Sequence, residues 1–286
     1  MEIAVKNTVT RLALAALLVM GGQAASAYTT YFGEDPNGTE GLPLDSTPNA
    51  AAAEQAFLKP LLTGGVGTET FEGLATGAPP PAGLALSFPG TGCVTCLTAT
   101  LKSVGSVNAG QVASVEPGST DGFGRYSVAS VTNPAAGAGS KFWYAEVSAD
   151  KSADFTVTFN QDIAAFGFYG IDVGDFNGLL SIELLDKDGN PVKTLDVGNL
   201  ATDNLGDAAG SVLFFGFIAQ STTELFRSIH FVTSGTQVDA FGFDNFTIAD
   251  ACQAGLCTAS ETPEPGSLVL LAGGLLGLAT VRRRRA

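Results

Sequence analysis

The chain has 286 residues, 14 Lys+Arg against 28 Asp+Glu, a formal net charge of −14, and 19 Phe within a 45% hydrophobic composition. That length suits one or two domains, and the apolar content can build a packed core, which excludes a disordered chain. The acidic excess excludes a nucleic-acid partner, because phosphate binding needs concentrated Lys and Arg.

At the N-terminus, Lys6 and Arg11 precede an apolar run over 12–20, and Ala25-Ser26-Ala27 follows as a small-x-small cleavage pattern. This reads as a secretory signal peptide over 1–27, cut between Ala27 and Tyr28, because the apolar run is too short to span a bilayer. Residues 28–47 are rich in Gly, Pro, Asp and Thr without a period, and read as an extended lead-in. Thr47-Pro48 offers an N-cap followed by proline at the first helical position. A short helix is predicted over 48–62, with Phe57, Leu58, Leu61 and Leu62 on one side. Lys59-Pro60 ends or kinks it.

From Thr68 the texture becomes that of strands separated by Gly, Asn, Asp and Pro. Clean alternation over 155–159 is broken by Asn160-Gln161, and 164–171 puts Phe166 and Phe168 on one face. Residues 180–195 form a hairpin around Asp188-Gly189-Asn190. Further strands are predicted over 212–218, 228–233 and 241–248, with Asp244 interrupting the aromatic alternation, the mark of a bulge. The expectation is an all-β, jelly-roll-like β-sandwich over 68–250 with one short N-terminal helix. A linker over 251–262 joins it to the tail, 263–286.

The tail reads TPEPGSLVLLAGGLLGLATVRRRRA. Its apolar run, 268–281, is shorter than the roughly 20 residues of a spanning helix, and Arg282 to Arg285 fit the cytoplasmic side. The triplet Pro263-Glu264-Pro265, the short apolar helix and the terminal arginines, in that order, resemble the PEP-CTERM sorting signal. The resemblance implies export through the inner membrane of a Gram-negative bacterium and a transient membrane stop through the tail. It also implies exosortase as a partner, and delivery to the cell surface or extracellular matrix. Removal of both ends would take Lys6, Arg11 and four arginines, six of the 14 basic residues, and leave eight. The working molecule would be far more acidic than the gene product.

The body is similar in outline to galactose-binding-like jelly rolls. The similarity rests on the 48–62 helix, the Glu69–Gly73 stretch, the 165–176 segment and Gly242-Phe243-Asp244-Asn245-Phe246. Such folds often hold a structural Ca²⁺ where first and last strands meet. Ca²⁺ takes six to eight oxygen ligands, and Glu72, Asp172, Asp175, Asp244 and Asn245 are the set this implies. On the residues alone, ordinary solvated turn carboxylates are the favoured reading. The segment beginning Asp186-Lys187-Asp188 is no EF-hand loop, since Pro191 falls where Gly is needed and Val197 where Glu is needed.

Four cysteines in an exported protein suggest disulfides with three possible connectivities, and the local pairs Cys93–Cys96 (as a strained turn) and Cys252–Cys257 are favoured. No G-x-S-x-G elbow occurs, and His230 is out of phase with Ile229 and Phe231, as a solvent-facing strand residue. Trp143, Tyr144, Tyr169 and Tyr126 form either core or a sugar-stacking platform, with core favoured. These features point to a non-enzymatic, structural or carbohydrate-binding component of an exopolysaccharide matrix. The alternatives are a polysaccharide hydrolase or lyase using the Asp172–Asp175 loop, and a membrane-anchored adhesin that keeps its tail.

Overall fold

In the computed structural model the described residues are 28–61, 66–103, 110–131, 139–147, 155–173, 180–197, 209–233 and 239–257. The expected signal peptide and sorting tail lie outside them. Twelve strands and one α-helix follow in the order β1 (Thr29–Asp35), α1 (Pro48–Leu58), β2 (Gly67–Glu69), β3 (Leu84–Gly90), β4 (Cys93–Ser103), β5 (Gly110–Ser114) and β6 (Lys141–Val147). Then come β7 (Phe155–Ile171), β8 (Leu180–Leu185), β9 (Pro191–Asp196), β10 (Val212–Ile218), β11 (Phe226–Thr233) and β12 (Asp239–Asp250). All pairings are antiparallel.

Strand β7 organises the sandwich. Its first half pairs with β4 and β11, and its second half with β10 and β12. One layer therefore runs β1-β10-β7-β12-β6-β5, with β2 beside the far half of β12. The other runs β3-β4-β7-β11-β8-β9. The predicted break at Asn160-Gln161 is a bend within a single strand, not an end. Asn160 braces it: its Oδ1 accepts from Thr98 N at 3.0 Å, and its Nδ2 donates to the Cys96 carbonyl at 2.8 Å. Arg227 Nη2 reaches Asp162 at 2.8 Å beside it.

Aromatic rings fill the space between the layers. Phe231 of one layer stacks on Phe155 at 4.1 Å and meets Phe243 and Phe168 of the other at 5.3 and 5.2 Å. The predicted face of Phe166 and Phe168 points into this core. The opposite face of β7, with Ala165 and Tyr169, forms a second core under α1. There Gly167 pairs with Gly216 across the ladder, and the Phe57 ring sits on them. A Cβ at Gly167 would lie 2.9 Å from that ring and one at Gly216 2.7 Å, so the glycines make the socket for the helix.

Two N-terminal expectations need correction. The lead-in over 28–47 contributes a strand, β1, zipped to β10 from Thr29↔Ile218 to Asp35↔Val212. Thr47 makes no side-chain cap to α1. Asp35, at the end of β1, does so instead, its oxygens accepting from Asn49 N at 3.1 Å and Ala50 N at 2.9 Å. A carboxylate there also complements the positive end of the helix. The helix stops at Leu58, just before Lys59-Pro60.

Candidate functional site

The outer face of the first layer is crossed by an irregular connector, residues 115–131, whose Arg125, Tyr126, Ser127, Val128 and Ser130 are all buried. Irregular backbone can be buried only if its polar groups are paired. Two fully buried acids do this. Glu54, from α1, accepts from Ser130 Oγ at 2.8 Å, Val131 N at 2.9 Å and Tyr169 Oη at 2.7 Å. Asp244, from β12, accepts from Ser127 Oγ and Val128 N, both at 2.9 Å. Asn245 Nδ2 returns to the Val128 carbonyl at 2.7 Å. One connector residue is thus held at both its backbone groups by consecutive residues of β12.

That grip depends on the predicted bulge. The pairing of β12 with β7 slips between Asp244↔Tyr169 and Thr247↔Gly167, with Asn245 left-handed at φ 53. The extra residue turns Asp244 and Asn245 toward the connector. Burial drives the Asp244 carboxyl well above its usual range, against the pull of Val128 and Ser127. Burial likewise raises Glu54, against its three donors. An acid raised on folding contributes stability that is full below its unfolded pKa and is lost as pH rises through the folded one. Asp250 runs the other way. Burial pushes it up, but Thr91 and Gln253 donors outweigh this and hold it below its ordinary value, so its contribution is lost only in stronger acid. The thermal midpoint is therefore expected to be higher at pH 5 than at pH 8, as read by scanning calorimetry. A midpoint unchanged or higher at pH 8 would contradict the buried, raised state of these acids.

The five residues of the expected Ca²⁺ set serve separate purposes where they are described. Asp172, left-handed at φ 63, accepts from Gly210 N at 2.9 Å through Oδ1, and its Oδ2 lies 3.8 Å from Arg125 Nη1. Glu72 accepts from Ser140 N at 2.8 Å and Lys141 N at 2.6 Å. Asp244 and Asn245 hold the connector. Asp175 lies outside the described residues. Among the described residues no three His, Cys, Asp or Glu side chains are grouped to hold a metal ion, and the oxygens of Asp244, Asp172 and Glu72 already take protein donors.

The aromatics follow the favoured reading, core. Trp143, Tyr169 and Tyr126 are core, and only Tyr144 is half-exposed. The outward ring is Phe123, 64% exposed, at the centre of Asp121-Gly122-Phe123-Gly124-Arg125. This loop is built to hold it. Asp121 Oδ1 accepts from Phe123 N at 2.9 Å and Arg125 N at 3.2 Å, while its Oδ2 takes Arg125 Nε at 2.7 Å. Gly122 and Gly124 sit at φ 91 and 92, where other residues are strained. The Arg125 guanidinium lies 5.4 Å from the Phe123 ring centre and 5.1 Å from that of Tyr144, and Nη1 donates to the Ala240 carbonyl at 3.0 Å. A phenylalanine between two glycines was the available signal in the sequence.

The same connector borders a cleft of about 220 Å³, with Leu44, Asp45, Thr47, Glu116, Ser119 and Tyr126 among its lining. Thr120 Oγ1 donates to the Glu40 carbonyl at 2.6 Å, tying the loop after the cleft to the 36–44 segment.

The remaining candidates are structural. Cys252 and Cys257 form a disulfide. Cys96 is also disulfide-bonded, while the Cys93 side chain lies outside the described residues. Cys93 opens strand β4, so the turn falls at Thr91-Gly92 and not on the cysteines. His230 is half-exposed, its Nδ1 3.6 Å from Glu183. Asp186 closes the β8–β9 hairpin, accepting from Asp188 N and Asn190 N at 2.8 Å.

The body is thus an antiparallel β-sandwich with a helix and a buried connector on one face. The C-terminal end is a PEP-CTERM protein-sorting motif, whose family profile matches residues 261–285 and includes Pro263, Glu264 and Pro265. That motif implies exosortase as a processing partner. No curated protein matches the sequence. Among solved structures, the chain is similar to the enzymatically active domain of bacteriophage CBA120 tailspike protein 4. That match has 14% identity and TM-score 0.25, and covers 54% of this chain but 19% of the tailspike. It is similar to the K2 cleaved adhesin domain of Lys-gingipain, at 11% identity and TM-score 0.27, covering 64% of this chain and 97% of that domain. It is also similar to the family 11 carbohydrate-binding module of a Clostridium thermocellum cellulosomal cellulase, at 11% identity and TM-score 0.22, covering 65% of this chain and 95% of the module. Among the described residues no helix is long and apolar enough to cross a membrane.

Proposed function

We propose that this chain is exported, processed by exosortase, and retained at the surface or in the exopolysaccharide matrix as a non-catalytic, carbohydrate-binding component. The observation that carries the reading is the sorting motif at residues 261–285, which marks the protein for that export and processing route. The body suits the role. It is an acidic sandwich in which Glu54, Glu72, Asp121, Asp172 and Asp244 hold loops in place, and it presents the Phe123 ring to solvent. Net negative charge favours solubility and disfavours anionic surfaces.

Intact mass tests the processing. In an exosortase-competent Gram-negative host, the released protein is expected to lack both residues 1–27 and the segment after the Pro263-Glu264-Pro265 triplet. In a host without exosortase the full tail should remain, and the protein should fractionate with the inner membrane. Identical mass and fractionation in the two hosts would overturn the reading.

A further inference from the structure

We infer that the Asp121–Arg125 loop is a binding site for the apolar face of a pyranose ring in a neutral polysaccharide, with Phe123 as the contact ring. The inference rests on the carbohydrate-binding reading above and names its site and ligand class.

Three observations carry it. First, the ring is exposed and its loop backbone is fixed. Phe123 and Leu42 are the exposed large hydrophobics among the described residues, at 64% and 67%. The Phe123 backbone N–H is held by the Asp121 carboxylate between two left-handed glycines, and the buried Arg125 guanidinium lies 5.4 Å from its ring centre. Gly124 is packed against the fold, since a Cβ there would lie 2.6 Å from Gly210 N and 2.8 Å from Asp172 Oδ1. Asp172 in turn holds Gly210 N, so the loop is anchored to two other segments. A loop fixed in this way loses little backbone freedom when a ligand stacks on its ring.

Second, the size of the apolar spot selects the ligand. A protein partner wants a contiguous apolar patch of several hundred Å². One ring amid polar loop backbone offers much less. It matches a single sugar ring, whose axial C–H groups form a small apolar face bordered by hydroxyls. Backbone carbonyls and the hydroxyl of Ser119 lie on the same connector to meet such hydroxyls.

Third, charge selects neutral over anionic chains. Arg125, the cation at the site, has its guanidinium committed to Asp121 at 2.7 Å, faces Asp172 at 3.8 Å and donates to the Ala240 carbonyl. Asp121 and, beside Tyr144, Glu146 and Asp239 leave an acidic surround that repels uronate or sulfate groups.

Affinity electrophoresis of the purified full-length chain in native gels tests this, with hydroxyethylcellulose, dextran or alginate cast into the gel. Retardation is expected in at least one neutral gel and not in alginate. Phe123→Ala should weaken it about tenfold, the upper range for one aromatic contact, and Phe123→Trp should keep it. The alanine variant removes an exposed side chain, so its thermal midpoint should match the parent. Retardation unchanged in Phe123→Ala would overturn this site while leaving carbohydrate binding intact. Retardation in alginate alone would overturn the ligand class. No retardation of the parent in any gel would remove the carbohydrate-binding reading and this site with it. If sedimentation velocity shows a parent dimer that Phe123→Ala dissociates, a second copy is the occupant and the inference fails.

Discussion

Glu54→Leu is expected to cost about 3–5 kcal/mol of folding stability, one of the two largest single-residue effects in this protein. Glu54 is fully buried and is the shared acceptor for Ser130 Oγ, Val131 N and Tyr169 Oη. A leucine fills the space but accepts nothing. Each donor left unpaired in a buried site costs about 1–3 kcal/mol. Glu54→Gln keeps one carbonyl oxygen and should cost less, about 1–2 kcal/mol. Urea denaturation followed by tryptophan fluorescence reads both, since Trp143 is buried in the main core. The order matters more than the sizes. If leucine were as stable as glutamine, the three donors would not depend on this carboxyl group.

Phe231→Ala is the second, at about 3–5 kcal/mol from lost burial and the cavity left behind. Its ring lies against Phe155, Phe166, Phe168, Phe243 and Phe246, at 4.1 to 6.4 Å between centres. Four of those rings belong to the second half of β7 or to β12, so the cavity opens between the layers, where neither can collapse into it alone. Phe231→Leu should recover more than half of the loss by refilling the volume. The comparison with Phe123→Ala, expected within about 0.5 kcal/mol of the parent as a surface change, separates a phenylalanine that holds the fold from one that does not. A Phe231→Ala midpoint within that same margin would mean the inter-layer ring cluster is not the core.

The second half of the chain was the more legible. Alternation over 155–159 and 181–185 reports strands with one face on a core, whereas β12 is buried on both faces, and the Asp186–Asn190 turn carries its own side-chain closure. The bulge at Asp244 showed because an acid broke an aromatic rhythm. Asp172 and Asn245 were singled out as oxygen donors, and the structure finds both in left-handed backbone. Phe71, immediately before Glu72, is the third such residue. Asp and Asn tolerate that conformation better than most residues, so the acids that stood out in the sequence mark sharp backbone turns at Asp172 and Asn245.

What stayed hidden depends on distant partners. The cap of α1 comes from Asp35, which no local window around Thr47 contains. Glu54 reads as the polar face of an alanine-rich helix until the connector, some 75 residues later, lies over it. Strand β1 has no clear period because it is an edge strand whose order comes from β10. Phe123 sits in a glycine-rich stretch that reads as a loop. Only its hydrogen bonds show that the loop is rigid.

The position of β12 has a consequence for time. It is the last of the described strands, yet it lies inside its layer, between β7 and β6. Until residue 250 is available, β6 and β7 each keep an open edge and half of the aromatic core has no lid. The sandwich therefore closes only after nearly the whole body has been delivered, and the sorting triplet follows that last strand by only the 251–262 linker. On the processing route proposed above, a cut at the triplet comes only after the last described strand of the body has been delivered.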